Sequence, residues 1–154
     1  MLLMIGIICV VVLLAAVQVK RIRDRKELER HSISPEDLHT LLAAKKEVAL
    51  FDVRLPLDLL SNLVVIPGAT RISPEEVIAN PSLIPTDRDS VIYCTCPGEK
   101  TSRAILHRAR SLGILRIQFL KGGLDGWKSK GFAVEPYDKP FHLSSGTNLA
   151  DIDR

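Results

Sequence analysis

The sequence predicts an α/β fold: an open, mainly parallel sheet with helices on both faces, preceded by one transmembrane helix. Three observations lead there. Short apolar runs alternate with helical patterns across short joins, the signature of a covered parallel sheet. The first 19 residues carry no charge. One apolar run, Val91-Ile92-Tyr93, leads into Cys94-Thr95-Cys96 and a loop of proline, glycine and small polar residues. A helix is expected beyond that loop.

The elements follow in order. Leu2 to Val19 is apolar except for Gln18. As a helix, roughly 18 residues rise about 27 Å, close to a hydrocarbon core. Lys20, Arg21, Arg23, Arg25 and Lys26 come next. Positive residues stay on the cytoplasmic side, so the amino terminus is expected outside and the globular part in the cytoplasm. A cleaved signal would carry its charge before the apolar run, and here the charge follows it. The lipid bilayer is thus the expected partner of residues 1–19. Residues 20–31 read as a basic juxtamembrane stalk that extends the helix.

Ser34-Pro35-Glu36-Asp37 has the form of a helix start: serine cap, proline in the first turn, acid at the third position. Leu38, Leu41 and Leu42 supply its apolar face. Val48-Ala49-Leu50-Phe51 reads as a buried strand ending at Asp52-Val53-Arg54. Ile66-Pro67-Gly68 is a turn. Ser73-Pro74-Glu75-Glu76 repeats the helix start, and Asn80 to Asp89 reads as loop. Val91 to Cys94 is the next strand. Ser102 to Leu112 is a helix with Gly113 as its stop. Ile117 to Leu120 is another strand, followed by Gly122-Gly123. The segment 137–154 lacks periodicity and is expected to be loose. The globular domain is therefore expected over 32–136. In such sheets ligands bind beyond the carboxyl ends of the strands. Asp52-Val53-Arg54 and the cysteine loop both lie at such ends.

Composition narrows the functions. Lys20 to His31 holds six basic and three acidic residues, and the rest balances to zero. No basic stripe is visible on the globular part, so a nucleic-acid partner is not expected. Aromatic residues make up 5% of the chain, so the core should be aliphatic. Three cysteines, two of them one residue apart, do not form a secreted disulfide framework. Cys9 reads as a small hydrophobe. The histidines at 31, 39, 107 and 142 have no ligand spacing with the cysteines. No metal and no cofactor are expected.

Five segments, Ile33 to Leu38, Leu50 to Arg54, Ile66 to Ala69, Tyr93-Cys94 and Leu120 to Trp127, together resemble a rhodanese domain in order and spacing, from about Ile33 to Pro136. The resemblance implies a central parallel sheet of about five strands. It also implies sulfurtransferase chemistry. A cysteine takes sulfane sulfur from thiosulfate or a persulfide donor and passes it to a thiol or protein acceptor. The residues agree with that chemistry. A thiolate between a strand end and a helix amino end is stabilised by loop N–H groups and the helix dipole.

Two cysteines compete for the role. Cys94 follows the family's tyrosine. Cys96 has the family's loop length after it, six positions to Ser102, and this spacing favours Cys96. Cys94 stands as the other nucleophile, a buried structural residue or a resolving thiol. Pro97, Gly98, Glu99, Lys100, Thr101 and Ser102 form the expected substrate-binding loop. Asp52 and Arg54 are expected to brace it, with Arg103 just beyond. The sequence departs from the family at three points. Glu99 would repel an anionic donor and raise a nearby thiol's pKa, with Lys100 available to offset it. Pro97 removes one N–H from the loop. Val64-Val65 stands where the family has Gly-His. The alternative reading is a rhodanese-fold binding or scaffold module at the membrane, catalytically weak or inactive. A phosphatase or arsenate-reductase loop places an arginine after five intervening residues, whereas Arg103 follows Cys96 after six.

Overall fold

A computed structural model describes residues 2–95 and 100–139, without the side chains at 2–5, 7, 8, 24, 25, 27, 28 and 100. The chain divides into two compact units, Met1–His31 and Ser32–Arg154.

The first unit is one helix, α1 (Leu2–Arg30). Its described apolar side chains, among them Val10, Leu13 and Leu14, are exposed. Among the described residues no helix is long and apolar enough to cross a membrane. The expected spanning segment 2–19 is therefore represented in the fold by a helix and not by a demonstrated span.

The second unit is built on a five-stranded sheet. Its strands are β1 (Ser32–Ile33), β2 (Val48–Asp52), β4 (Thr70–Arg71), β5 (Asp89–Tyr93) and β6 (Ile117–Leu120), in the spatial order β1-β6-β5-β2-β4. Every pairing in this sheet is parallel. The central strands therefore bury both faces, which is why Val91, Ile92 and Tyr93 read as an unbroken apolar run. A small antiparallel pair joins β3 (Val64–Val65) to β7 (Glu135–Pro136). The sequence shows neither strand, because two residues leave no periodicity to read. Of the expected loose segment 137–154, Tyr137 donates its N–H to Leu63 O at 2.9 Å. Residues 140–154 lie outside the described residues.

Helices α2 (Pro35–Ala43) and α6 (Gly123–Ser129) supply Leu38, Leu124 and Trp127 to one core cluster. The sheet adds Ile33, Leu50, Val91, Tyr93 and Leu120 on the same face. Phe51 and Ile92 lie one residue out of phase and are buried on the opposite face. There α5 (Lys100–Ser111) packs against β6 and against α4 (Pro74–Ala79). Both serine helix starts form as expected. Ser34 Oγ accepts from Asp37 N–H at 3.1 Å. Ser73 and Glu76 close a reciprocal capping box.

Two further elements were not legible. Helix α3 (Pro56–Ser61) follows Arg54 directly, and a 3-10 turn (Pro81–Leu83) interrupts the loop expected over Asn80 to Asp89. Helix α5 begins at Lys100, two residues earlier than expected, so Thr101 and Ser102 belong to its first turn.

Candidate functional site

The sheet order makes a crevice. From β2 the chain moves outward to β4, and from β5 it moves the other way to β6. The two strands adjoin, in register Asp52↔Tyr93. Their carboxyl ends thus flank the switch point at which open α/β sheets bind ligands. Tyr93 and the Asp52-Val53-Arg54 corner meet there.

The Asp52–Arg54 corner is fully buried, with both side chains 0% exposed. Arg54 Nη2 and Nε meet Asp52 Oδ2 at 2.6 and 3.0 Å. Asp52 Oδ1 also accepts from the Arg54 backbone N–H at 3.0 Å. The outer donors of the guanidinium reach Asn62 O at 2.9 Å and Val64 O at 2.8 Å. Arg54 therefore ties the end of β2 to the segment after α3. All three guanidinium nitrogens are engaged within the protein, which is the bracing arrangement and not that of a substrate contact.

Tyr93 extends this brace. Its hydroxyl accepts from Ile66 N–H at 3.2 Å, at the start of the Ile-Pro-Gly turn. Burial, with the Asp52 charge nearby, pushes its phenol pKa far up. The hydroxyl is thus protonated at any working pH. Arg71, which the sequence reading passed over, lies at the end of β4 in register with Asp52. Its Nη1 donates to Asp52 O at 3.1 Å and to Ile72 O. Burial lowers its pKa, against the pull of Asp52. The available signal was its place at a strand's carboxyl end, alongside the other two.

The cysteine-bearing strand end is held from both sides. Val53 N–H donates to Tyr93 O at 2.9 Å, and Leu124 N–H donates to Cys94 O at 3.2 Å. Cys94 is 2% exposed. Cys96, Pro97, Gly98 and Glu99 lie outside the described residues, as does the Lys100 side chain. Beyond them Thr101 and Ser102 are buried on α5, and Arg103 is half-buried. The described residues thus set Asp52 beside Tyr93 at the ends of adjoining strands, with Cys94 just beyond, and Thr101 and Ser102 buried in the first turn of α5. Among the described residues no group of His, Cys, Asp or Glu side chains is arranged to hold a metal ion.

A parallel sheet of this order, with a cysteine connection at its switch point, defines a class, and comparison with known proteins identifies it. The rhodanese-like domain model matches residues 34–130, and the chain belongs to that family. It is 31% identical over 104 residues to a protein named sulfurtransferase from Allochromatium vinosum, covering 68% of this chain and 94% of that one. A rhodanese-related protein from Thermoplasma volcanium is 25% identical, with a TM-score of 0.57, over 68% of this chain and 97% of its own. A thiosulfate sulfurtransferase from Pseudomonas aeruginosa is also 25% identical, with a TM-score of 0.55, over 75% of this chain but 22% of its own.

Proposed function

We propose that this chain is a sulfurtransferase that carries sulfane sulfur on Cys96. The observation that carries the reading is the state of Cys94. Its burial just past the end of β5 favours Cys96, the next thiol along the same connection, as the nucleophile. Family membership and the likeness to a protein named sulfurtransferase support the chemistry. The amino end of α5 favours a thiolate on the connection that precedes it.

With thiosulfate as donor, the Cys96 thiolate attacks the outer sulfur. A new sulfur–sulfur bond forms as the donor's own sulfur–sulfur bond breaks, and sulfite leaves with the electron pair. An acceptor thiolate then attacks the outer sulfur of the persulfide. The Cys96 thiolate departs with its pair, and the acceptor becomes the persulfide. Loop N–H groups from Gly98 to Ser102 would hold the anionic terminal sulfur without a metal. Pro97 contributes no such donor, and Lys100 would receive an anionic donor or balance Glu99. In this reading Asp52 and Arg54 would brace the loop, and Arg103 would supply positive charge to an anionic donor.

We place this chemistry at a membrane, with residues 1–19 as a single-pass anchor, 20–31 as its basic stalk and the domain over 32–136 on the cytoplasmic side. The uncharged run of Leu2 to Val19, the exposed apolar side chains of α1 and the basic residues that follow support this arrangement.

The test is mass spectrometry of the full-length protein after incubation with thiosulfate or a persulfide donor. An adduct of about 32 Da on Cys96 is expected, lost in Cys96→Ser and kept in Cys94→Ser. Absence of an adduct with every donor sinks the enzyme reading and leaves a binding module.

A further inference from the structure

Gly123 sits against the peptide that leads into the cysteine connection. Its backbone is left-handed, at φ +54°. A Cβ added there would lie 1.8 Å from Cys94 O and 2.9 Å from Cys94 C. Both are backbone atoms, so no side-chain rotation relieves the overlap. The neighbouring Leu124 N–H donates to the same carbonyl at 3.2 Å. The first turn of α6 thus grips the last peptide before Thr95 and Cys96.

Both sides of this contact are anchored. Leu124 and Trp127 root α6 in the core, and Trp127 Nε1 donates to Ala133 O at 2.8 Å. Gly126 N–H closes the turn on Gly122 O at 2.8 Å. Cys94 lies one residue past the end of β5, next to the Tyr93 carbonyl that Val53 N–H holds at 2.9 Å. A methyl group at 123 would therefore force the Cys94 peptide and the first turn of α6 apart. Displacement of that peptide reaches Cys96 through one intervening residue, Thr95.

We infer that Gly123 is a positioning residue for the sulfur-transfer site, acting through the Cys94 peptide. It lets α6 dock close enough to set where the connection leaves the sheet, and hence how Cys96 meets the loop N–H groups. This rests on the assignment of Cys96 as nucleophile. Glycine is required here twice over, for its left-handed backbone and for the approach. Gly131 separates the two demands. It is left-handed at φ +74°, but an added Cβ there meets nothing within 4 Å.

The experiment compares full-length wild type, Gly123→Ala and Gly131→Ala. It reads the pH profile of Cys96 alkylation, resolved by mass spectrometry, together with the rate of sulfur loading. In Gly123→Ala the alkylation midpoint should rise by about one pH unit and loading should slow about tenfold. Gly131→Ala shares the backbone penalty and should keep the wild-type midpoint. An unchanged midpoint in folded Gly123→Ala overturns the inference, as does an equal shift in Gly131→Ala. Should Gly123→Ala not fold, the wild type decides. Its Leu124 amide resonance should move with the Cys96 titration, and a resonance that stays still overturns the inference. Failure of the sulfurtransferase reading looks different: wild-type Cys96 then titrates as an ordinary thiol and takes up no sulfur.

Discussion

Arg54 is the residue that ties the end of β2 to the segment after α3. Its charge is taken fully out of water, and it is tolerated because one carboxylate and two carbonyls surround it. Breaking such a pair from one side leaves an uncompensated buried charge, whereas replacing both partners does not. Arg54→Met should therefore destabilise the domain by about 3–5 kcal/mol. The double variant Asp52→Asn with Arg54→Met should lose less than Arg54→Met alone. Denaturant unfolding of the three proteins checks this order. The expected brace of the cysteine loop falls on residues 96–99, outside those described, but the place of Asp52 and Arg54 at a strand end was legible from the apolar run before them. The bonds to Asn62 O and Val64 O were not, because those acceptors belong to backbone eight and ten residues on. Tyr93 and Arg71 were opaque for the same reason: each acts on a backbone group of another strand or turn.

At the scale of the element, local chemistry was most readable where it was self-contained. The two serine starts were visible because each cap closes within three residues. In α4, Ser73 Oγ accepts from Glu76 N–H at 3.2 Å, and Glu76 Oε2 accepts from Ser73 N–H at 2.8 Å. The Ser73 backbone N–H, aided by its hydroxyl, holds the Glu76 pKa below the usual carboxylate value. A depressed carboxylate stabilises above its unfolded pKa and loses that contribution as pH falls through the folded one. Glu76→Ala should therefore be less stable than wild type at neutral pH, with the gap closing below about pH 4. Ser73→Ala should lose about 1 kcal/mol at pH 7. Thermal unfolding at a series of pH values reads both. The short elements escaped notice. β1, β3, β4 and β7 have two residues each, and only a partner strand defines them. α3 has six residues, and its exposed Leu57 and Leu60 blur any helical stripe.

The whole molecule couples a helix of 29 residues to a compact α/β unit. If α1 anchors the chain, full-length protein should stay with membranes through a high-salt wash, and a variant lacking residues 1–19 should be soluble. Release of the full-length protein by salt alone would reduce α1 to an electrostatic contact through its basic residues. Within the α/β unit, function depends on strand order. Alternating patterns announced a parallel sheet, but they did not say which strands adjoin. The order β1-β6-β5-β2-β4 puts the acid–arginine corner beside the cysteine connection, and a different order would have separated them.

By itself the chain's sequence determined the class of fold, the two serine-capped helices and the buried central strands. Those properties rest on neighbours within a few residues, where periodicity and capping are visible. Tertiary structure alone decided that Cys94 is buried and that Gly123 touches its carbonyl. It also decided that Arg54 reaches the far side of α3. Each of these depends on which distant backbone atoms pack together, and a parallel sheet fixes that only when its strands have found their order.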